Sequence, residues 1–347
     1  MADATLRSLG DLHAAKLISA EEVEGLASVA ERYAIAVTPS MLDLIDRTDP
    51  ADPIAAQFLP SASELIELPG ERDDPIGDRP HTPVEGVVHR YPDRVLLKLL
   101  HVCPVYCRFC FRREMVGPEG DGTLTAEAIA RAIDYIRADT RIWEVIFTGG
   151  DPLILSPRRL REVIEQLATI EHVRIIRFHS RVPAVDPARI TPELVEALTS
   201  AGKTVYVALH ANHPRELTSA VRDACRRMVD AGIVMVSQSV LLKGVNADAS
   251  TLADLMRAFV EMRVKPYYLH HPDMAPGTGH FRLSIVEGQT ILRELRKQIS
   301  GLCIPHYILD LPGGHGKVEL GHAALHEIEP NRYIILDRFD EKKIYPE

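Results

Sequence analysis

A chain of 347 residues, 46% hydrophobic and 26% charged, is long enough for one large globular unit with a small accessory part. Its net charge of -9 argues against a dedicated nucleic-acid surface, which would be basic. Five cysteines are too few for a disulfide scaffold, no signal peptide is visible and no apolar run reaches membrane-span length, so a cytoplasmic protein without a membrane anchor is expected.

Residues 1–50 read as a helical N-terminal domain. Leu17, Ile18, Val23, Leu26, Val29 and Ala30 recur near helical spacing, Ser19 with Glu21 and Glu22 marks a helix start, and Thr38-Pro39 opens a further helix through Asp46. Residues 51–93 are rich in proline and acid. Proline breaks helices and central strands, so this stretch reads as an extended connector that wraps a surface.

Residues 94–317 alternate between two patterns. Strand-like runs fall at 95–100, 145–148, 173–179, 204–210, 234–242, 266–271 and 306–310. Helix-like runs fall between them at 125–138, 157–169, 192–201, 215–231, 251–262 and 286–300. Ser156-Pro157 and Thr191-Pro192 are good helix starts, and Gly202 and Gly232 suit helix ends. Regular βα repeats imply a parallel sheet, and six or so units argue for an α/β fold with a partial (β/α)6-type barrel. Residues 318–347 are left as a short C-terminal extension.

The most informative stretch is His101-Val-Cys103-Pro-Val-Tyr-Cys107-Arg-Phe-Cys110-Phe-Arg112-Arg113. Three cysteines spaced C-x3-C-x2-C directly after a strand can present three thiolates to one metal cluster. A structural zinc site wants four ligands, and no fourth cysteine lies nearby. Cys225 and Cys303 read as ordinary core residues. Further polar groups cluster at the strand ends: Thr148-Gly149-Gly150-Asp151, His179-Ser180-Arg181, His210, Asn212-His213, Gln238, His270-His271-Pro272-Asp273 and Asp310. In βα barrels that rim is where active sites assemble. Gly149 and Gly150 would let backbone approach a ligand closely. Asp273 and Asp310 would repel each other unless a cation, such as a substrate ammonium, sits between them. An arginine fork at Arg112 suits a carboxylate. Lys317 follows the glycine-rich run Pro312-Gly-Gly-His-Gly316, where a mobile loop could carry an amine to an aldehyde cofactor.

Together these stretches resemble the lysine 2,3-aminomutase family of radical S-adenosylmethionine (SAM), pyridoxal phosphate (PLP)-dependent enzymes. The likeness extends from about Asp74 to about Lys317. It includes His89-Arg-Tyr-Pro-Asp-Arg94, Ser180-Arg181-Val-Pro, Gln238-Ser-Val-Leu-Leu-Lys-Gly-Val-Asn246 and Asp310-Leu-Pro-Gly-Gly-His-Gly-Lys317. The resemblance implies a [4Fe-4S] cluster on Cys103, Cys107 and Cys110, with SAM chelating its open iron. It implies SAM contacts along Gly149, Gly150, Asp151 and Gln238, PLP on Lys317, and Arg94 near the PLP phosphate. It implies Arg112 on the substrate carboxylate, and Asp273 and Asp310 on the distal ammonium of lysine. The implied reaction interconverts L-lysine and β-lysine through a 5′-deoxyadenosyl radical, an isomerase activity fed by a reductant such as flavodoxin or ferredoxin. A homo-oligomer is compatible with it.

Three departures bear on that expectation. Longer family members continue into a cysteine-bearing zinc tail, whereas no cysteine follows Lys317 here. His315 replaces a glycine of the usual lysine loop, and His271-Pro272 before Asp273 is unusual. The alternatives are the branch that makes β-lysine for elongation factor P, an aminomutase of another amino acid and, from a different class, a non-catalytic iron–sulfur or zinc-binding protein.

Overall fold

The computed structural model describes residues 4–116, 122–321, 325–329, 332–336 and 341–345. Five short helices lead in: α1 (Leu9–Ala14), α2 (Ala20–Gly25), α3 (Ala27–Arg32), α4 (Pro39–Leu42) and α5 (Ala55–Phe58). The helix expected from Thr38 through Asp46 stops at Leu42. Past Leu42 the chain runs on through turns in which aspartate side chains bond the backbone locally. Asp46 Oδ1 accepts from the Thr48 N–H at 2.9 Å, and Asp52 Oδ1 accepts from the Ile54 and Ala55 N–H groups at 3.0 and 2.7 Å.

A nine-stranded sheet follows, its strands lying side by side in chain order. Strand β1 (Val87–Tyr91) pairs antiparallel with β2 (Arg94–Leu100). Strands β3 (Glu144–Gly149), β4 (Ile175–Ser180), β5 (Thr204–His210), β6 (Val234–Val240), β7 (Val264–His270) and β8 (His306–Leu311) continue it in parallel. Strand β9 (Gly316–Glu319) turns back antiparallel on β8. Helices α6 (Ala126–Ala138), α7 (Pro157–Ala168), α8 (Val182–Val185), α9 (Pro192–Thr199), α10 (Ser219–Asp230), α11 (Ala249–Glu261) and α12 (Ile285–Gln298) fill the connections. This is the expected α/β barrel, nearly closed and built of βα repeats.

Helix starts are chemically marked. Thr125, Ser156, Thr191, Thr218, Asp248 and Ser284 each accept a first-turn N–H, capping α6, α7, α9, α10, α11 and α12. Strand β3 buries Val145, Ile146 and Phe147, as a strand covered on both faces must. Phe147 stacks on Phe178 of β4 with centroids 4.7 Å apart. The N-terminal helices share this core: Leu12, Val29, Met41 and Phe58 belong to the same cluster of buried residues as Leu97 and Phe147.

Two strands of this sheet were not expected. β1 lies inside the proline-rich connector, at the sheet's edge, where flanking prolines are tolerated. β9 carries Lys317, so the lysine sits on a strand and not in a mobile loop. Gly313 and Gly314 both have φ +83 and let the chain reverse immediately after β8. Strands β10 (Leu325–Glu329), β11 (Arg332–Leu336) and β12 (Lys342–Tyr345) form a separate three-stranded antiparallel sheet in the C-terminal extension. Among the described residues no helix is long and apolar enough to cross a membrane.

Candidate active site

The cysteine loop leaves the C-terminal end of β2 and passes directly over the end of β3. The Gly150 N–H donates to the Leu100 carbonyl at 2.7 Å and the Asp151 N–H to that of Val102 at 3.0 Å. A Cβ on Gly150 would lie 2.2 Å from the Val102 oxygen, and one on Gly149 would lie 2.7 Å from the Leu100 oxygen. These glycines therefore make room for the cysteine loop as well as for any ligand.

The N-terminal helices clamp the same loop from behind. The Tyr106 N–H donates to the Ala36 carbonyl at 3.2 Å and the Arg108 N–H to that of Gln57 at 2.9 Å. Glu64, fully buried, receives the Arg108 guanidinium at 2.9 Å and the Arg113 guanidinium in a second ion pair. Arg113 also stacks over Tyr33 at 3.4 Å. Burial pushes the thiols up, Cys110 to about 11, with the neighbouring Cys107 adding to the rise. The Cys103 thiol is raised by burial and by the Asp151 carboxylate.

Cys103, Cys107 and Cys110 line one cavity of about 230 Å³. The ends of six strands supply its other walls: Thr148, His179, His210, Gln238, His270 and Asp310. Lys317 reaches the same cavity from β9. Register explains its position, since Asp310 and Lys317 are direct partners across β8 and β9. Lys317 Nζ donates to both Asp310 oxygens at 2.6 and 2.7 Å, and its backbone N–H donates to the Tyr91 hydroxyl at 2.8 Å.

Two carboxylates on this side differ sharply. For Asp310, burial opposes ionisation, but the His270 imidazole 3.5 Å away and the Lys317 ammonium outweigh it. They hold the carboxyl well below the usual range. Asp273 lies in the same cavity, and burial together with the negative charge of Asp310 pushes it up to about 7. His179 is held neutral, first by burial and then by Arg177, Lys317 and Arg112 around it.

Other expected site residues have partners of their own. Arg112 lines the cavity, but its Nε donates to Asp78 at 3.0 Å. Arg90 and Lys98 stand 3.8 Å from the same carboxylate, so three cations face one buried anion. The Asp151 carboxylate accepts from the Leu153, Arg181 and Val182 N–H groups and the Ser180 hydroxyl. Gln238 approaches His179 at 3.4 Å. Arg94 sits at the opposite end of β2, bonded to Asp93 at 2.8 Å and stacked over Tyr91 at 3.8 Å. Tyr91 in turn touches Lys317, so Arg94 reaches the lysine through one ring.

Asp78, Arg90, Lys98, Tyr91 and Arg181 went unassigned in the sequence reading. Arg90 and Tyr91 lie in the quoted His89-Arg-Tyr-Pro run, and Arg181 in Ser180-Arg-Val-Pro, so a signal existed for those. Asp78 closes the distinctive Asp74-Pro-Ile-Gly-Asp run where the likeness begins, but nothing local marks an aspartate that will neutralise three distant cations.

Residues 97–256 match the radical SAM superfamily. The chain is 42% identical to the L-lysine 2,3-aminomutase of Clostridium subterminale, over 86% of this chain and 72% of that one. It is 36% identical to the L-lysine 2,3-aminomutase of Escherichia coli, over 84% of this chain and 85% of that one. The glutamate 2,3-aminomutase of Clostridioides difficile is also 36% identical, over 87% of this chain and 71% of that one.

The chain belongs to the lysine 2,3-aminomutase family of radical SAM enzymes.

Membership makes it an isomerase, and the cofactors of the family are a [4Fe-4S] cluster, SAM and PLP. The residues present fit these groups. Three thiols with no disulfide partner face one cavity, as the ligands of a cluster must. The surplus of positive charge around Asp78 suits an anionic phosphate or carboxylate. Lys317 offers an amine inside the same cavity.

Proposed function

We propose that this aminomutase interconverts L-lysine and β-lysine, with Cys103, Cys107 and Cys110 holding the cluster and Lys317 holding PLP. One observation carries the substrate assignment: two carboxylates, Asp273 and Asp310, share the cavity with the thiols and the lysine amine. A basic substrate is favoured, since the carboxylate of glutamate would be repelled there.

When bound, the cofactors supply one-electron cleavage of SAM and an electron sink for the migrating amino group. The chain's own residues bind and orient. Arg112, with Arg90 and Lys98 behind it, would take the substrate's carboxylate by competing with Asp78. Asp310 would serve two ammonium groups in turn: with Lys317 holding PLP, the Asp310 carboxylate would be left for the distal ammonium of the substrate. Asp273, held near neutrality in the free cavity, would ionise as that cation arrives. Gly149, Gly150, Asp151 and Gln238 would line the SAM site, with Asp151 setting the loop's shape through its four bonds. Arg94 would act on the PLP side through Tyr91.

Anaerobic reconstitution with iron, sulfide, PLP and SAM, followed by a panel of amino acids read by mass spectrometry, tests the reading. Lysine is expected to turn over fastest. Glutamate or another amino acid outpacing it overturns the substrate assignment. A low-potential one-electron protein such as flavodoxin or ferredoxin is the proposed physiological donor.

A further inference from the structure

Arg181, just past the end of β4, turns its guanidinium back into the cysteine loop. Nη1 donates to Cys107 Sγ at 2.8 Å, while Nη2 donates to Gln57 Oε1 at 2.6 Å and to Glu216 Oε2 at 2.8 Å. The guanidinium carbon lies 4.6 Å from the Phe58 ring centroid and 5.4 Å from that of Phe109. Its partners are themselves fixed. Glu216 Oε1 accepts from the Asn212 and His213 N–H groups at 2.9 and 3.0 Å, and Gln57 Oε1 accepts from Asn212 Nδ2 at 3.0 Å. Arg181 is 5% exposed and cannot swing away.

An ion pair with Glu216 alone would explain a buried arginine. It does not explain a second arm directed at a sulfur. A charged donor is well matched only if that sulfur is anionic, which is the state of a cluster ligand. The donor aimed at Cys107 is thus a buried cation held by fixed partners, at 2.8 Å.

We propose that Arg181 is a positioning residue that acts through Cys107: it fixes the thiolate against its iron and raises the reduction potential of the bound cluster, with Glu216 as the counter-charge that limits the rise. Reduction adds one electron from a low-potential donor and makes the cluster more negative. A fixed cation on a ligand sulfur favours the reduced form, and hydrogen bonds to sulfur act in the same direction. The inference rests on the cysteines being cluster ligands.

The test is a redox titration of the reconstituted full chain, read by electron paramagnetic resonance, in wild type, Arg181→Met and Glu216→Gln at measured iron and sulfide content. At a fixed solution potential, Arg181→Met is expected to lower the ratio of reduced to oxidised cluster about tenfold, which is about 59 mV for one electron. Glu216→Gln keeps the acceptor for the Asn212 and His213 N–H groups but removes the counter-charge, so it should raise the ratio. Shifts of one sign in both variants, or no shift in either at equal iron content, overturn the proposal. If Arg181→Met takes up no cluster, Glu216→Gln decides alone: an unchanged or lowered ratio overturns it. Wild-type chain that binds no iron overturns instead the ligand assignment beneath it.

Discussion

The two sides of the cavity treat charge differently. Behind the cysteines, charges are matched within the protein and sealed: Arg108 and Arg113 meet Glu64, and Arg181 meets Glu216, at side chains 5% exposed or less. On the lysine side the pairs are open to exchange. Asp310 is bound to the Lys317 ammonium, which under the proposed function leaves it when that amine holds PLP, and burial with the charge of Asp310 pushes the Asp273 carboxyl up to about 7. Closed pairs set geometry; open pairs await ligands. Under the proposed function, the cysteine side stays still while electrons and SAM come and go, and the lysine side trades one cation for another.

The largest expected effect tests the closed side. Glu64→Ala leaves two buried guanidinium groups without their carboxylate, which should cost on the order of 3–5 kcal/mol. Urea denaturation and iron uptake would both show it, because the N-terminal helices lose their grip on the cysteine loop. Asp310→Ala in the PLP-free protein should cost about 1 kcal/mol, since Lys317 retains access to water. Equal losses would erase the distinction between the two sides.

Catalysis should rank the same residues in reverse. Lys317→Ala keeps the cluster's absorbance but shows no borohydride-trapped PLP and no turnover. Asp310→Asn should weaken lysine binding by about 2–4 kcal/mol, thirtyfold or more in Kd, with iron content unchanged. A parallel loss of iron would mean that Asp310 supports the fold and does not await the substrate.

Much of this was legible in the sequence because it is local. The βα alternation, the Ser and Thr caps and the cysteine spacing depend on neighbours a few residues apart. So do the polar strand ends, which a parallel sheet gathers to one rim whatever its details. What escaped depends on long-range pairing. β9 escaped because four residues ending a glycine-rich run show no strand period, and only pairing with β8 makes them one. β1 hid among prolines for the same reason. The partners of Arg112 and Arg181 come from Asp78, Gln57 and Glu216, far away in the chain, and no spacing rule reaches them. Arg94 shows the converse: a strong motif match that the fold sets at the start of β2, one ring away from Lys317.

The finest discrimination concerns Asp273. With its carboxyl at about 7 in the free cavity, a full ammonium site exists only above that pH. Lysine affinity should therefore rise about tenfold per pH unit below 7 and level off above it, and Asp273→Asn should flatten the profile. Stability runs the other way. The folded pKa lies above the ordinary value of 3.8, so this group favours the folded state fully below about pH 3.8, and the contribution is lost as pH rises through about 7. In the ligand-free protein, Asp273→Asn should then gain on wild type between pH 5 and pH 8, on the order of 2–3 kcal/mol. Urea midpoints at the two pH values measure it. A constant difference would mean that Asp273 already has a cation when the cavity is free of ligand, and the lysine side would then be as closed as the cysteine side.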